Sequence, residues 1–395
     1  MPAAGDPRAG DAVEIDEMEV RARLGRLEEL LAQEGLAGAV VFGRSFYDRP
    51  GAVAYLTGYL PPFPSSADAP GISGLGQVAL CVVPGQRPLL LTDRFVRPQG
   101  GPLFDAEAHA DVGLRLAEVL RRLGGGRVRI GVGGLDIVPY GLLARLQAAL
   151  EEAQWVVIDA QLHAMRRRKS EADVRGLRAA AGVAAQAFEA AIAAIGEGAR
   201  ERDVAAAGMA AAMAAGADFV RYLRVHAGLA SAGGSRWPPA TDARIAKGDL
   251  VSMDFVGAAG GYGFDLERTV LVAPAPPAAR ELLLDAHRVE AAALAALHAG
   301  QTVEGLCEAI RRAAGATPSA PYLTGFYGHG IGLETLEWPY LLPGQSGPLI
   351  AGEVLCIEPG LRRPDLGGAE VEDEVLVTES GSELLSDFRR TPIIV

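Results

Sequence analysis

Two short apolar segments carry acids where a buried strand has little use for them: Val251-Ser-Met-Asp254-Phe and Gly263-Phe-Asp265-Leu-Glu267-Arg-Thr269. A Gly-rich turn joins them, so they read as a pair of strands. Further along stand Gly328-His329-Gly330-Ile-Gly332, then Gly352-Glu-Val-Leu-Cys-Ile-Glu358-Pro-Gly360, then Ala369-Glu370-Val371-Glu372-Asp373. A carboxylate in an apolar strand costs free energy unless opposite charge or hydrogen bonds meet it, so acids recurring in such strands call for a shared partner. Asp254, Asp265, Glu358 and Glu372, with the imidazole of His329, offer oxygen and nitrogen and no thiolate. That donor set suits manganese, cobalt, iron or zinc as divalent ions, and bridging carboxylates can hold two of them about 3.5–4 Å apart. Two such cations lower the pKa of a shared water and polarise the bond under attack, with Glu358 beside them as proton acceptor.

Residues two apart share a face of a strand, which places Glu267 with Asp265 and Glu370 with Glu372. Surplus acids together with an aromatic at Trp237 favour a cationic small molecule, because an aromatic face attracts ammonium or guanidinium. Each of these residues also has a plain structural reading. Trp237 stands beside Pro238 and Pro239 and either faces the pocket or packs a loop. Glu370 either lines the pocket or pairs with Arg362 or Arg363, and a bulge would turn Glu267 outward. His226, just ahead of the Gly-rich stretch 228–234, either reaches the substrate as a second catalytic group or is a hydrogen-bonded structural histidine. His109, His163, His287 and His298 have no ligand spacing and read as structural, Cys356 as core, and Arg268 as a partner for a carboxylate.

The elements that position these groups can be outlined. A helix over Glu17–Gln33 carries Leu24, Leu27, Leu30 and Leu31 at helical spacing, and an apolar strand follows at 37–42. Strands are expected at 78–83, 88–91 and 128–132 with a helix near 114–123, which makes the first half a small α/β domain; 61–76, rich in Pro, Ser and Gly, is a loop that could reach a neighbouring subunit. The basic run from Arg166 to Lys169 reads as an exposed joint, and Ser170-Glu-Ala-Asp173 as the capped start of a long Ala-rich helix. A helix at 202–215, strands at 250–255 and 261–272, helices at 277–298 and 303–314, and short strands with Gly-rich turns follow. The division expected is a flexible stretch over 1–16, an N-terminal domain over 17–165 and a metal-binding catalytic domain over 166–395.

At 395 residues the chain is long enough for two domains. Its 49% hydrophobic and 22% charged residues describe a globular protein rather than a disordered one. A formal charge of −12 argues against nucleic acid as a partner, since phosphate binding needs a basic stripe. The three cysteines fit neither a disulfide framework nor a zinc ribbon. No secretory signal is visible and no apolar run of about 18 residues occurs, so a cytoplasmic location and no membrane contact are expected.

Taken in order, the five segments resemble the motifs of the pita-bread metallopeptidases, the family of methionine aminopeptidase, Xaa-Pro aminopeptidase, prolidase and creatinase, over about 165–395. Val53-Ala-Tyr55-Leu-Thr-Gly58 resembles a segment of the creatinase or prolidase N-terminal domain. The resemblance implies an α/β (α+β) protein, a pita-bread catalytic domain behind a smaller creatinase-like domain, and a homodimer. It implies that Asp254 chelates one ion, Asp265 and Glu372 bridge, and His329 with Glu358 holds the other. The chain departs from the peptidase pattern at three places: Leu336 stands where a second histidine is usual, Trp237 where a substrate-side histidine is usual, and Glu370 where an arginine is usual. Metal chemistry on a changed small-molecule or short-peptide substrate is therefore the expected function. Leu266-Glu267-Arg268-Thr269 resembles creatinase, whose glutamate there meets a guanidinium, but creatinase lacks the two aspartates. Glu337-Trp338-Pro339 resembles the metal-dependent dimethylsulfoniopropionate lyases of the same fold, which leaves a lyase of a sulfonium or ammonium compound, or a binding module without catalysis, as the alternatives.

Overall fold

The computed structural model describes residues 17–69, 71–95, 102–123, 127–234, 236–386 and 388–395. The stretch 1–16, expected to be flexible, lies outside the described residues. The chain divides into two compact units, Glu14–Arg166 and Arg167–Val395.

The smaller unit opens with α1 (Glu17–Gln33), whose Leu24, Leu27, Leu30 and Leu31 form one buried stripe. Its sheet runs in the order β4 (Asp105–His109), β3 (Leu89–Asp93), β2 (Val78–Val82), β1 (Gly38–Gly43), β5 (Arg129–Gly133), β6 (Gln154–Val157). Helices α2 (Gly51–Thr57), α3 (Val112–Leu120), α4 (Tyr140–Ala149) and α5 (Asp159–Arg167) complete it. The sequence pattern reveals β1, β2, β3, β5, α1 and α3, and misses the rest for physical reasons. β4 and β6 are the two sheet edges, largely half-exposed; β4 has no apolar run, and the run Trp155-Val-Val-Ile158 at β6 is short. All seven residues of α2 are buried, so no amphipathic period marks it.

In the larger unit the alternation of strand side chains organises the architecture. The sheet runs β11 (Glu337–Tyr340), β10 (Gly328–Gly330), β12 (Val354–Ile357), β15 (Val371–Val377), β9 (Tyr262–Leu271), β8 (Leu250–Ala259), β7 (Phe219–Ala227), with β16 (Ser382–Leu384) beside β15 and β17 (Ile393–Ile394) beside β9. A small hairpin, β13 (Leu361–Arg363) with β14 (Gly367–Ala369), lies apart from it. Leu355, Ile357, Val375 and Val377 share one core with Val289 and Ala293 of α8 (Pro277–Ala296) and with Leu306 and Ile310 of α9 (Val303–Gly315). On the same side, Phe255 of β8 meets Phe188 of α6 (Glu171–Ala193) edge-on, with ring centroids 6.0 Å apart. Helix α7 (Glu201–Ala214) packs on α6 and β7. The residues between these apolar positions, and with them the acids, are left to the opposite face.

Helix α6 begins as expected: the Ser170 hydroxyl accepts from the Asp173 amide while the Asp173 carboxylate accepts from the Ser170 amide. Asp173 also receives the Tyr262 hydroxyl at 2.8 Å, which pins β9 to the start of the helix. Gly176 makes this possible, because a Cβ there would sit 2.3 Å from the Tyr262 ring. The basic run is not the exposed joint the sequence suggests. Arg166 is buried and Arg168 exposed, while Arg167 pairs with Glu353, and Lys169 meets Glu337 at 3.0 Å with both side chains buried, each of these two cations entering with a carboxylate. Gly176→Ala should therefore cost about 1–3 kcal/mol by overpacking, read as a lower urea midpoint at unchanged slope; an unchanged midpoint would show that the Tyr262 ring yields freely.

Candidate active site

Five neighbouring strands, β10, β12, β15, β9 and β8, bring the five donor residues together on the face away from the helices. Asp254 lies opposite Glu267 across β8 and β9, and Glu267 opposite Glu372 across β9 and β15, so three acids stand in one row. His329 lies opposite Cys356, and Cys356 opposite Glu374. Glu358, two residues beyond Cys356, shares the same face. Gly328 takes φ +144° and would drive a Cβ to 2.0 Å from the Cys356 carbonyl, so only glycine lets β10 run this close to β12 with His329 turned inward. Behind the row, the buried Arg268 guanidinium donates to the backbone carbonyls of Glu267 and Glu372 and to the Asp373 carboxylate. It locks β9 to β15 at the acid-bearing residues.

The acids open onto a cavity of about 470 Å³. Asp254, Asp265, Glu267, Glu358, Glu370 and Glu372 line it, with Arg224 and Arg362 as the cations among the lining residues. Six carboxylates against two guanidiniums leave a formal charge of −4, which two divalent cations would cancel. Burial and mutual repulsion disfavour the charged forms. Burial, then Glu267, pushes Asp254 up to about 7, and burial, then Glu267, pushes Glu370 up to about 8. Asp265, Glu358 and Glu372 are held well above the ordinary carboxylate range by burial first, and next by Asp254 for Asp265, by Glu370 for Glu358 and by Asp265 for Glu372. Behind them Glu374, which accepts from the Asp265 amide at 2.9 Å, is pushed up to about 8 by burial.

His329 is lowered to about 4 by burial and is therefore neutral near pH 7. Its Nδ1 lies 2.9 Å from the Gly330 carbonyl, an oxygen that can only accept, so Nδ1 carries the proton. The lone pair of Nε2 then faces Glu358 Oε1 at 3.3 Å and Asp265 Oδ2 at 3.6 Å. Acceptors turned on one another need a cation or a proton between them. Asp254 Oδ1 and Glu372 Oε1 are buried with no hydrogen-bond partner among the described residues. The donor atoms of Asp254, Asp265 and Glu372 lie within 4.8 Å of one another, as do those of His329, Cys356 and Glu372. Glu372 belongs to both groups, so the residues fit a pair of divalent ions sharing one carboxylate.

Not every expected residue reaches the cavity. Glu267 does, held by the Ser252 hydroxyl, and no bulge turns it away. Glu370 both lines the cavity and pairs with Arg362 at 2.8 Å. Trp237 is not brought to it: the side chain is 86% exposed and absent from the lining, so it presents no aromatic wall to a cationic ligand. His226 is buried on β7 opposite Ser252, outside the lining, and burial lowers its pKa. Leu336, in the place of the usual histidine, does face the cavity, as do Phe326 and Tyr222. Arg224 was not anticipated; it sits opposite Asp254 in the β7–β8 register, holds it at 2.8 Å and lies over the Tyr222 ring. No spacing rule in the sequence joins residues 224 and 254, whereas Arg362 could have been chosen from its closeness to Glu370.

The sequence model of metallopeptidase family M24 matches residues 175–379, and that of the creatinase/prolidase N-terminal domain matches 23–168. The Xaa-Pro dipeptidase of Pyrococcus horikoshii is 31% identical over 255 residues, covering 64% of this chain and 72% of that one. Among solved structures, the X-Pro aminopeptidase of Thermotoga maritima superposes with a TM-score of 0.81 at 23% identity over 94% of this chain and 99% of its own. The dipeptidase PepE of Mycobacterium ulcerans gives 0.80 at 26% identity over 96% and 99%. A sheet that turns its acids away from its helices, a family match spanning most of the unit that carries it, and these pita-bread neighbours agree: the chain belongs to metallopeptidase family M24 and is a metal-dependent hydrolase with an N-terminal creatinase-like domain.

Proposed function

We propose that this chain hydrolyses the C–N bond of a short peptide, with Xaa-Pro dipeptides the first candidates, using two divalent ions. The observation that carries the reading is the convergence of five donors on one buried face with a formal charge of −4 and unpartnered acid oxygens. Asp254 would hold one ion, His329 and Glu358 the other, with Asp265 and Glu372 between them. The chemistry that a bound pair supplies is a lowered pKa for a shared water and polarisation of the scissile carbonyl. Glu358 is placed to take the proton of the attacking water and return it to the leaving nitrogen. Arg224 keeps Asp254 aimed inward, and Leu336 with Phe326 gives an apolar wall to a substrate side chain. A cavity of about 470 Å³ suits a ligand of dipeptide size.

A preference for cationic substrates finds less support. Trp237 is outside the cavity, and Glu370 already has Arg362 as its partner. With two divalent ions the lining is neutral, which favours a zwitterionic dipeptide over a net cation. Leu336 supplies no polar contact where the peptidase pattern has a histidine, so weaker substrate binding than in such peptidases is expected.

Elemental analysis of the purified protein should find close to two divalent ions per chain, with Asp254→Ala and Glu372→Ala each losing most of them; two ions retained in both variants would place the metals elsewhere. Xaa-Pro dipeptides should be cleaved by the loaded enzyme, and Glu358→Gln should lower kcat by about 10²–10⁴-fold. Turnover of cationic amides with none of dipeptides would sink the peptidase reading. A third expectation concerns pH. Asp254, Glu370 and Glu374 titrate at about 7, 8 and 8 in the fold and near 4 when unfolded. Folded pKa values raised in this way add stability that is complete below the unfolded value and lost as pH rises. The Tm of chelator-treated protein should fall between about pH 4 and 8, and added manganese should raise it more at the alkaline end. A manganese effect independent of pH would disconnect the ions from these acids.

A further inference from the structure

The two donor groups that share Glu372 are chemically unlike. Asp254, Asp265 and Glu372 offer only carboxylate oxygen, whereas His329, Cys356 and Glu372 offer an imidazole and a sulfur within the same 4.8 Å span. Cys356 lies outside the cavity lining, in the wall directly behind it. Its neighbours across the sheet are His329 on one side and Glu374 on the other, and Glu358 follows it by one strand period, so its side chain belongs to the acid-bearing face. The residue is fully buried, and its Sγ donates to the Asp265 carbonyl at 3.8 Å, the backbone of one of the acids of the site. Glu372, the residue common to both groups, has one carboxylate oxygen, Oε1, with no hydrogen-bond partner among the described residues.

We propose that Cys356 is a metal ligand, so that the two ion positions differ in kind: a hard, all-oxygen position at Asp254, Asp265 and Glu372, and a softer position at His329, Glu358, Glu372 and Cys356 that selects a thiophilic ion such as zinc, cobalt or ferrous iron. The inference rests on the dinuclear reading above and adds to it the identity of a donor and a reason for unequal metals. Bonds of about 2.3 Å to sulfur and 2.0–2.1 Å to nitrogen gather donors from a span of this size with a small side-chain adjustment. On ligation the sulfur–metal bond replaces a water of the ion, and the thiol proton leaves to solvent with no change of oxidation state. Thiolate donors draw zinc and cobalt, while carboxylate oxygen suits manganese.

The test is optical titration of metal-free full-length protein with cobalt(II). Chain cysteines number three, Cys81, Cys307 and Cys356, all free and buried. The Cys81→Ser/Cys307→Ser double variant therefore leaves a single possible sulfur ligand. Expected are visible d–d bands together with a near-ultraviolet sulfur-to-cobalt charge-transfer band in the wild type and in the double variant, and complete loss of the charge-transfer band in Cys356→Ser with the d–d bands kept. Should Cys356→Ser fail to fold, the double variant carries the result alone. Tetrahedral or five-coordinate d–d bands with no charge-transfer band would overturn the sulfur ligand and leave the dinuclear reading standing. Absence of both kinds of band would overturn the two together.

Discussion

Repulsion among carboxylates gathered on one buried sheet face is the constraint on which the rest of the larger unit depends. Asp254, Glu267 and Glu372 face one another across three strands, an arrangement that opposes strand pairing when like charges stand directly opposite. The fold answers it from several sides. Arg224 and Arg362 enter the cavity against Asp254 and Glu370, and Ser252 donates to Glu267. From the helix side Arg268 binds the carbonyls of the two central acids and so opposes the separation of β9 from β15. What these contacts leave is a formal charge of −4 and acid oxygens without partners, which is the form an ion-pair site takes in the polypeptide alone.

The period of two in a β-strand explains why so much of this was legible. Once the acid segments are assigned to strands, Glu267 shares a face with Asp265 and Glu370 with Glu372, and the register sets Asp254, Glu267 and Glu372 in one row. The capping box at Ser170 and the helices α6 to α9 are equally local, since each is specified within a few residues of itself. Elements without a local signature were lost. Helix α2 is buried all round, and β4 and β6 are edges with mixed burial, so neither kind carries a period that one strand or one helix face would impose.

The site shows the same division between local and distant information. His226 draws notice from its place before a Gly-rich stretch and Trp237 from standing where the family pattern has a histidine, both arguments along the chain, and the folded chain puts neither on the cavity lining. Arg224, which does line it, becomes visible only through pairing with a residue 30 positions away in another strand. Cys356 was read as core, and buried it is; but burial beside His329 and Glu372 is a different environment from burial among leucines. Apolar surroundings alone would make a thiol an inert filler, whereas an imidazole nitrogen and a carboxylate oxygen within 4.8 Å give it a ligand's neighbours.

Loss of the histidine at position 336 and of the arginine at position 370 need not mean loss of polarity at those places, and the two cases differ physically. Leu336 replaces a hydrogen-bonding ring by an aliphatic side chain that still lines the cavity, so a polar contact is exchanged for an apolar one. At 370 the sign of the charge is inverted, yet Arg362 from the separate hairpin reaches the same carboxylate at 2.8 Å and returns a guanidinium to the wall. The cation has moved from the sheet to the hairpin strand β13. The hairpin in turn packs through Leu361 and Ala369 on Leu250 of β8 and Leu271 of β9, so the place of that guanidinium is set by the hairpin pairing and by the same sheet that fixes the metal donors.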